Sequence, residues 1–481
     1  MGARASAASG EGVSSCVAYV GSRAGVLAAL RDLIADARQS VVLQMYLFAR
    51  NGDQTLLLPR PGAFPYADAV AQLLIDKKRS SPSVSIVVIL DSNTPADPNR
   101  TRRRGTLIRE DLERAGIPVL CANLFGARFD PRPRRVLGRM NLHLDRARVD
   151  ASDWVFHQNR WQVLHNVEDH RKNLVIDGGR AGAITSHNLF DPAYDWHENL
   201  FLVTGEPARA LWRSARASVN AALEIPQRVD LAGRAVIDAV LEGASDDPEP
   251  FASDLPAFSP VAGYGVEDIG GAVVSALVHD PSASLVESAQ IRGRLEALFD
   301  GAAEGDELLV ATTYISDLEV LACLGRAARR GAKVRILIDS VRALPLPRLA
   351  SWLTRSLVNH DATVRAGELA AELSDRFELR VHDSRDGPMM HLKTAARLGP
   401  APALVGGQAN FTPNSFSGAW LETDLETRSP EVVRAFASHF ELLWKLPSSR
   451  APRRERGPLA ALTRLLRSAL LRAFGVLGVR P

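Results

Sequence analysis

The chain has 481 residues, a formal net charge of +3, 46% hydrophobic and 23% charged residues. This ordinary globular composition excludes wholesale disorder, and the length exceeds what one hydrophobic core organises, so two domains or two fused halves are expected. The small net charge excludes a protein drawn to nucleic acid by its overall field, and Cys16, Cys121 and Cys323, odd in number and far apart, fit neither a disulfide framework nor zinc-ligand spacing.

Residues 1–14, MGARASAASGEGVS, read as a flexible start with no apolar h-region. No run of 18 apolar residues follows, so a soluble or peripheral protein in a reducing interior is expected. Met1, Gly2 and Ser6 satisfy the myristoylation pattern, a match that six loosely specified positions produce readily by chance. A first unit is predicted over 15–243. It opens with a helical pattern, GVLAALRDLIADAR, then the apolar run VVLQMYLF, another helical stretch, and SIVVILDS ending at Asp91 and Ser92. A linker is predicted at 244–260, where proline, serine and acidic residues break every period.

The second unit, 261–447, repeats the plan. IRGRLEALFDGAAEGDELLVATTYIS leads to a helix ending RAARRG and to AKVRILIDS, closing at Asp339 and Ser340, with Tyr46 and Tyr314 at matching places. GIPVLCAN and FELRVHDS are the next predicted strands. Short apolar runs alternating with amphipathic helices predict an α/β fold, each half a mostly parallel sheet flanked by helices. Asp91 precedes His170 by 79 positions and Asp339 precedes His391 by 52, so the first half carries about 27 extra residues there, rich in arginine.

Two His-x-Lys motifs stand at equivalent places. The first reads DHRKNLVIDGGRAGAITSHN, with His170, Lys172, Asp177, Ser186 and Asn188. The second reads MHLKTAARLGPAPALVGGQAN, with His391, Lys393, Gly407 and Asn410. In a strand, residues two apart share a face, so each motif sets a nucleophile beside a cation. A lone motif is weak; two, followed by Asn after 18 and 19 positions, are not. His143, His157, His165, His187 and His197 have no regular metal-ligand spacing.

This pattern resembles the phospholipase D superfamily, with its His-x-Lys-(x)4-Asp signature and a downstream Gly-Ser-x-Asn element. Thr185 stands where glycine is usual, Leu398 at the second Asp position and Gln408 at the second serine. The resemblance runs from about 15 to 445. It implies two α/β/α halves related by a pseudo-two-fold and a phosphohistidine intermediate, with no cofactor or metal. His170 is expected to attack and His391 to act as general acid, while Lys172, Lys393, Asn188 and Asn410 stabilise phosphoryl oxygens. Asp177 supports motif architecture. Glu198 and either Glu422 or Asp424 are expected to buttress the histidines, with Ser186, Gly407 and Asp424 beside the substrate.

The implied substrate is a glycerophospholipid, cleaved or transferred to an alcohol or water acceptor as in cardiolipin synthases. A metal-independent nuclease and an inactive phosphate- or membrane-binding protein are the alternatives. Arginines at 100, 102–104, 132, 134, 135 and 139 lack interleaved aromatics, which favours lipid headgroups over single-stranded nucleic acid. The tail, 448–481, reads as a basic amphipathic helix: Leu459, Leu462, Leu466 and Leu470 share a face opposite Arg464, Arg467 and Arg472. It suits an anionic membrane surface, giving a cytoplasmic protein peripheral at the inner face of the membrane.

Overall fold

Alternate residues of the predicted strands bury on opposite sides, which is why those strands read as continuous apolar runs. The computed structural model describes residues 15–50, 62–91, 106–122, 154–157, 160–163, 168–223, 229–242, 273, 275, 277–341, 360–385, 387–416 and 420–452. The start, the linker, the arginine clusters, His143, His165 and the tail beyond 452 lie outside the described residues.

The first sheet contains β1 (Cys16–Val20), β2 (Ser40–Met45), β3 (Ser85–Asp91), β4 (Val119–Ala122), β5 (Lys172–Ile176), β6 (Ala181–Thr185) and β7 (Leu200–Thr204). Their spatial order is β1-β7-β6-β5-β2-β3-β4, with Val278–His279 added beside β1. The second contains β8 (Ser284–Glu287), β9 (Glu307–Thr312), β10 (Lys333–Asp339), β11 (Phe377–His382), β12 (Lys393–Leu398), β13 (Ala403–Gly407) and β14 (Thr423–Thr427). Its order is β8-β14-β13-β12-β9-β10-β11, with Ser449–Arg450 beyond β11. One order maps onto the other strand for strand, so the chain is α/β and internally duplicated.

The sheets are mixed rather than mostly parallel. In each, only the β2-β3-β4 or β9-β10-β11 run is parallel. The remaining ladders are antiparallel. The cause is the motif itself: β5 returns as β6 through the short turn Asp177–Arg180, and a connection that short joins only antiparallel strands.

In the first half α1 (Arg23–Asp36), α2 (Tyr66–Ser80) and α3 (Thr106–Arg114) pack with Val41, Leu43 and Met45 of β2 on one face. The alternate residue Val42 faces a second cluster, with Val17, Tyr19 and Phe201. That cluster also takes Leu309, Ala311 and Leu404 of the second sheet, together with α4 (Glu206–Leu223) and α5 (Leu231–Glu242). Beyond the second sheet, α6 (Ser288–Asp300), α7 (Leu318–Arg329) and α8 (His360–Glu372) cover Leu308 and Val310. The shared middle cluster, which α9 (Pro430–Lys445) completes, thus joins the halves. Ser22 Oγ accepts the Gly25 N–H at the start of α1, and Asp317 accepts those of Glu319 and Val320 at the start of α7.

Asp177 holds the first half's architecture rather than its chemistry. Its carboxylate accepts the N–H groups of Arg38, Gln39 and Ser40 between α1 and β2, at 2.7–3.0 Å, and an Arg180 bond at 3.0 Å. Leu398 stands at the matching position, and there the α6-β9 turn satisfies itself. Asp306 Oδ2 accepts the Ala303 N–H, and Arg330 donates to the Ala302 and Phe299 carbonyls. A Cβ at Gly399 would fall 2.0 Å from Asp306 Oδ1, so the turn also requires glycine after Leu398.

Asp177→Ala strands three N–H donors and leaves the buried Arg180 with Asp36 as its remaining carboxylate partner, so it is expected to lower unfolding free energy by about 3 kcal/mol. Denaturant unfolding measures this; a loss under about 1 kcal/mol would refute the architectural role.

Candidate active site

The sequence places all the paired polar residues at the ends of β5, β6, β7 and their counterparts, so duplication alone converges them. Lys172 and Lys393 begin β5 and β12; Asn188 and Asn410 follow β6 and β13; Glu198 and Glu422 precede β7 and β14. His170 and His391 lie two residues before the lysines, and both histidines are buried. The lysines are fully buried, 0% exposed, which is tolerable only beside acceptors.

Each histidine is bonded to the carboxylate of the opposite half. His170 Nδ1 lies 2.9 Å from Glu422 Oε2, and His391 Nδ1 lies 2.7 Å from Glu198 Oε1. Lys172 donates to the His170 carbonyl at 2.6 Å and Lys393 to the His391 carbonyl at 2.9 Å, and each ammonium rests against its own imidazole. The next residues repeat the exchange: Asn173 donates to Thr423 at 3.4 Å and Asn199 to Thr394 at 3.1 Å.

The backbone around the histidines is stitched the same way. Trp420–Leu421 pairs in parallel with Glu168–Asp169, just before His170. His197 bridges to Met390, just before His391. Two tryptophans therefore arrive with the two carboxylates. Trp420 stacks on His170 with centroids 5.1 Å apart, and Trp196 lies 5.0 Å from His391. Sequence reasoning missed them, although Trp-x-Glu at 196–198 and 420–422 is a second repeated signal. Tyr46 packs on the His170 ring at 4.4 Å, whereas Tyr314 packs against the apolar group containing Val341 and Trp196.

Several predicted residues act through others. Ser186 Oγ donates to Glu198 in a short bond. The second half has Gln408 there instead: its amide donates to the Lys172 carbonyl at 2.9 Å and to Asn173 Oδ1 at 2.6 Å, tying the halves together. Ser415, which the motif does not reveal, supplies the serine bond to Glu422 at 3.1 Å. Asp424, expected beside the substrate, instead accepts the Gln408 and Ala409 N–H groups and so supports the turn bearing Asn410. Gly407, also expected there, is a packing requirement: a Cβ would meet the Thr423 carbonyl at 2.8 Å. Asn188 Oδ1 and Asn410 Oδ1 are buried without partners, so these two amides retain unused hydrogen-bonding capacity.

Residues 297–444 match the family described as cardiolipin synthase, PLD-like domain. The chain thus carries a PLD-like domain over that stretch. Its fold is similar to phosphatidylserine synthase of Haemophilus influenzae Rd KW20, at 13% identity and TM-score 0.58 over 97% of this chain and 95% of that one. A polyphosphate kinase from Porphyromonas gingivalis aligns at 11% identity and TM-score 0.43, covering 95% of this chain and 55% of that one. Nuc from Salmonella typhimurium, a phospholipase D family member, aligns at 18% identity and TM-score 0.25, covering 36% and 98%. No curated protein sequence matches the chain.

At this site burial dominates the electrostatics. It pushes His170 well below the ordinary imidazole value, helped by Lys172, Lys393 and His391, and lowers His391 in the same way. It raises Glu198 and Glu422. Burial therefore opposes separated charge within each His–Glu pair. Lys393 is pushed down to about 7 by burial and by Lys172, against the pull of Glu198, Glu422 and Asp424.

Because that value is depressed, Lys393 is cationic below pH 7 and loses its charge as pH rises through it. Binding of dimethyl phosphate, a monoanion throughout, is expected to weaken at least about fivefold between pH 6 and 8.5, and Lys393→Met to flatten the dependence. Calorimetry reads both, and a pH-independent wild type would contradict the charge assignment.

Proposed function

We propose that the chain cleaves or exchanges phosphodiester bonds of glycerophospholipids through a phosphohistidine on His170. The observation that carries this is the convergence of two His-Lys pairs, each completed by the other half's glutamate. An imidazole with its proton on Nδ1, facing an ionised carboxylate, keeps the Nε2 lone pair for attack. A pair holding one more proton presents Nε2–H as an acid. The two equivalent pairs thus perform opposite tasks by differing in one proton. The complete first motif, and the Tyr46 and Trp420 rings packed on His170, support its assignment as nucleophile.

Attack forms a P–N bond, and the P–O bond to the leaving alcohol breaks. The alkoxide takes its proton from the His391–Glu198 pair. Lys172, Lys393, Asn188 and Asn410 stabilise the phosphoryl oxygens as charge builds on them. An incoming diester anion offsets the two lysines and so favours the imidazolium that His391 needs. Water or an alcohol then returns a proton to His391, and its oxygen displaces His170. Hydrolysis and transfer differ only in that acceptor. The matched family's description, cardiolipin synthase, supports a phosphatidyl donor.

Among the described residues no helix is long and apolar enough to cross a membrane. The basic amphipathic pattern of the tail, Leu459, Leu462, Leu466 and Leu470 opposite Arg464, Arg467 and Arg472, is what supports a peripheral contact with the inner membrane face. Leu398 and Gln408, the basis of the inactive reading, lose their force because Asp306 and Ser415 do the corresponding work.

Labelled phosphatidylglycerol in EDTA is expected to yield phosphatidic acid, or a new phospholipid when glycerol is added. His170→Ala should reduce either product by at least about a thousandfold. Intact turnover in that variant would sink the mechanism. Cleavage of DNA but not lipid would select the nuclease. Dimethyl phosphate binding with no turnover of either would select the inactive protein. Removal of 453–481 is expected to weaken binding to anionic liposomes at least about tenfold, and unchanged binding would end the role given to the tail.

A further inference from the structure

The repeated strand endings at Asp91 and Asp339 have no part in the chemistry so far. Asp339, the last residue of β10, is buried at 1% exposure. Its Oδ2 accepts the Met390 N–H at 2.8 Å, one residue before His391. Its Oδ1 accepts the Ser384 hydroxyl at 2.7 Å, and the Val341 N–H in a short bond. Val341 holds φ at 57°, a left-handed conformation unfavourable for a β-branched residue and maintained here by that bond.

Three other bonds fix the segment that Asp339 grips. His382 Nε2 bonds the Pro388 carbonyl at 2.9 Å. The His197 N–H donates to the Met389 carbonyl and the His391 N–H to the His197 carbonyl, both at 2.8 Å. The backbone of 388–391 is thereby bonded at every residue. Two of those bonds run to His197, the neighbour of Glu198. Asp339 ties the segment to its own sheet through a carboxylate. The first half fixes His170 differently: Asp169, the counterpart of Met390, carries its own carboxylate, bonded to Gln44 at 2.7 Å and to Arg171 at 2.7 Å.

We propose that Asp339 is a positioning residue for the proton-transfer step, setting the backbone of Met390 so that His391 meets both Glu198 and the reacting phosphoryl group. Burial raises its carboxyl to about 7, with the Met390, Ser384 and Val341 donors opposing the rise. Such a group is costly to bury and is maintained by what it holds in place. The proposal rests on the phosphohistidine reading above, because it assigns Asp339 to the His391 half of that reaction. Misplacing His391 weakens proton delivery in the transition state while the lysines still bind phosphate. The loss should therefore fall on kcat rather than KM.

The test compares the full-length wild type, Asp339→Ala, Asp339→Asn and the surface control Asp383→Asn on bis(p-nitrophenyl) phosphate in EDTA, with hydrogen–deuterium exchange of the peptide spanning 388–391. Asp339→Ala is expected to lower kcat about tenfold with KM within about twofold, and to speed exchange in that peptide. Asp339→Asn, which keeps an oxygen able to accept from Met390, should recover part of the loss, and Asp383→Asn should match the wild type. Unchanged kcat in Asp339→Ala, or unchanged exchange at 388–391, overturns the proposal. So does an equal fall in kcat and rise in KM in both Asp339 variants, which marks general destabilisation. The exchange measurement decides even for a variant too weak to assay. If the wild type shows no turnover that His391→Ala abolishes, it is the phosphohistidine reading that fails.

Discussion

Everything at the centre of this molecule depends on an exchange of carboxylates: Glu422 of the second half bonds His170 of the first, and Glu198 of the first bonds His391 of the second. Neither imidazole is complete within its own sheet. An uncompensated buried charge costs several kcal/mol, so the six ionisable groups gathered here are stable only while the halves stay closed on each other. That requirement accounts for the apolar cluster running through both sheets, for α4 and α9 packed into it, and for the Gln408 amide reaching across to the Lys172 carbonyl. The docking of the halves therefore assembles the candidate site as well as the fold.

Much of this was legible in the sequence, and the limits have physical causes. Helix 23–36 and strands 85–91 and 333–339 fall where periodicity and turn residues put them, because each buries both faces or one clear stripe. Strand direction was not legible, since an apolar run buried on both sides looks the same in a parallel or an antiparallel ladder. The turn length between Asp177 and Arg180 held that information. The crossing of Glu198 and Glu422 was also hidden. Their spacing from the nearer motif is similar in both halves, so linear distance pairs each with the wrong histidine. Only the packing of one sheet on the other decides it.

The second motif shows how a signature overstates what chemistry needs. The first half uses Asp177 to hold a turn and Ser186 to hold Glu198. When Leu398 and Gln408 replace those types, the turn is held by Asp306 and Arg330, Glu422 by Ser415, and Gln408 takes up a bridge to the other half. The supporting residues have diverged while the histidine, lysine, asparagine and glutamate they support have not. Motif completeness therefore reports on local architecture, and the convergent polar groups report on the reaction.

The electrostatics then explain why an anionic diester is the fitting guest. Burial, with Lys172 adding to it, pushes Lys393 down to about 7. The glutamates offset part of that charge, but burial raises them too, and each is already engaged with a histidine. The site is thus left short of negative charge around the two buried ammonium groups. A phosphodiester supplies that charge without adding a titratable proton of its own. On the proposed reading its binding restores Lys393 toward its ordinary basicity and makes protonation of His391 easier, so the ligand prepares the acid that its own leaving group requires.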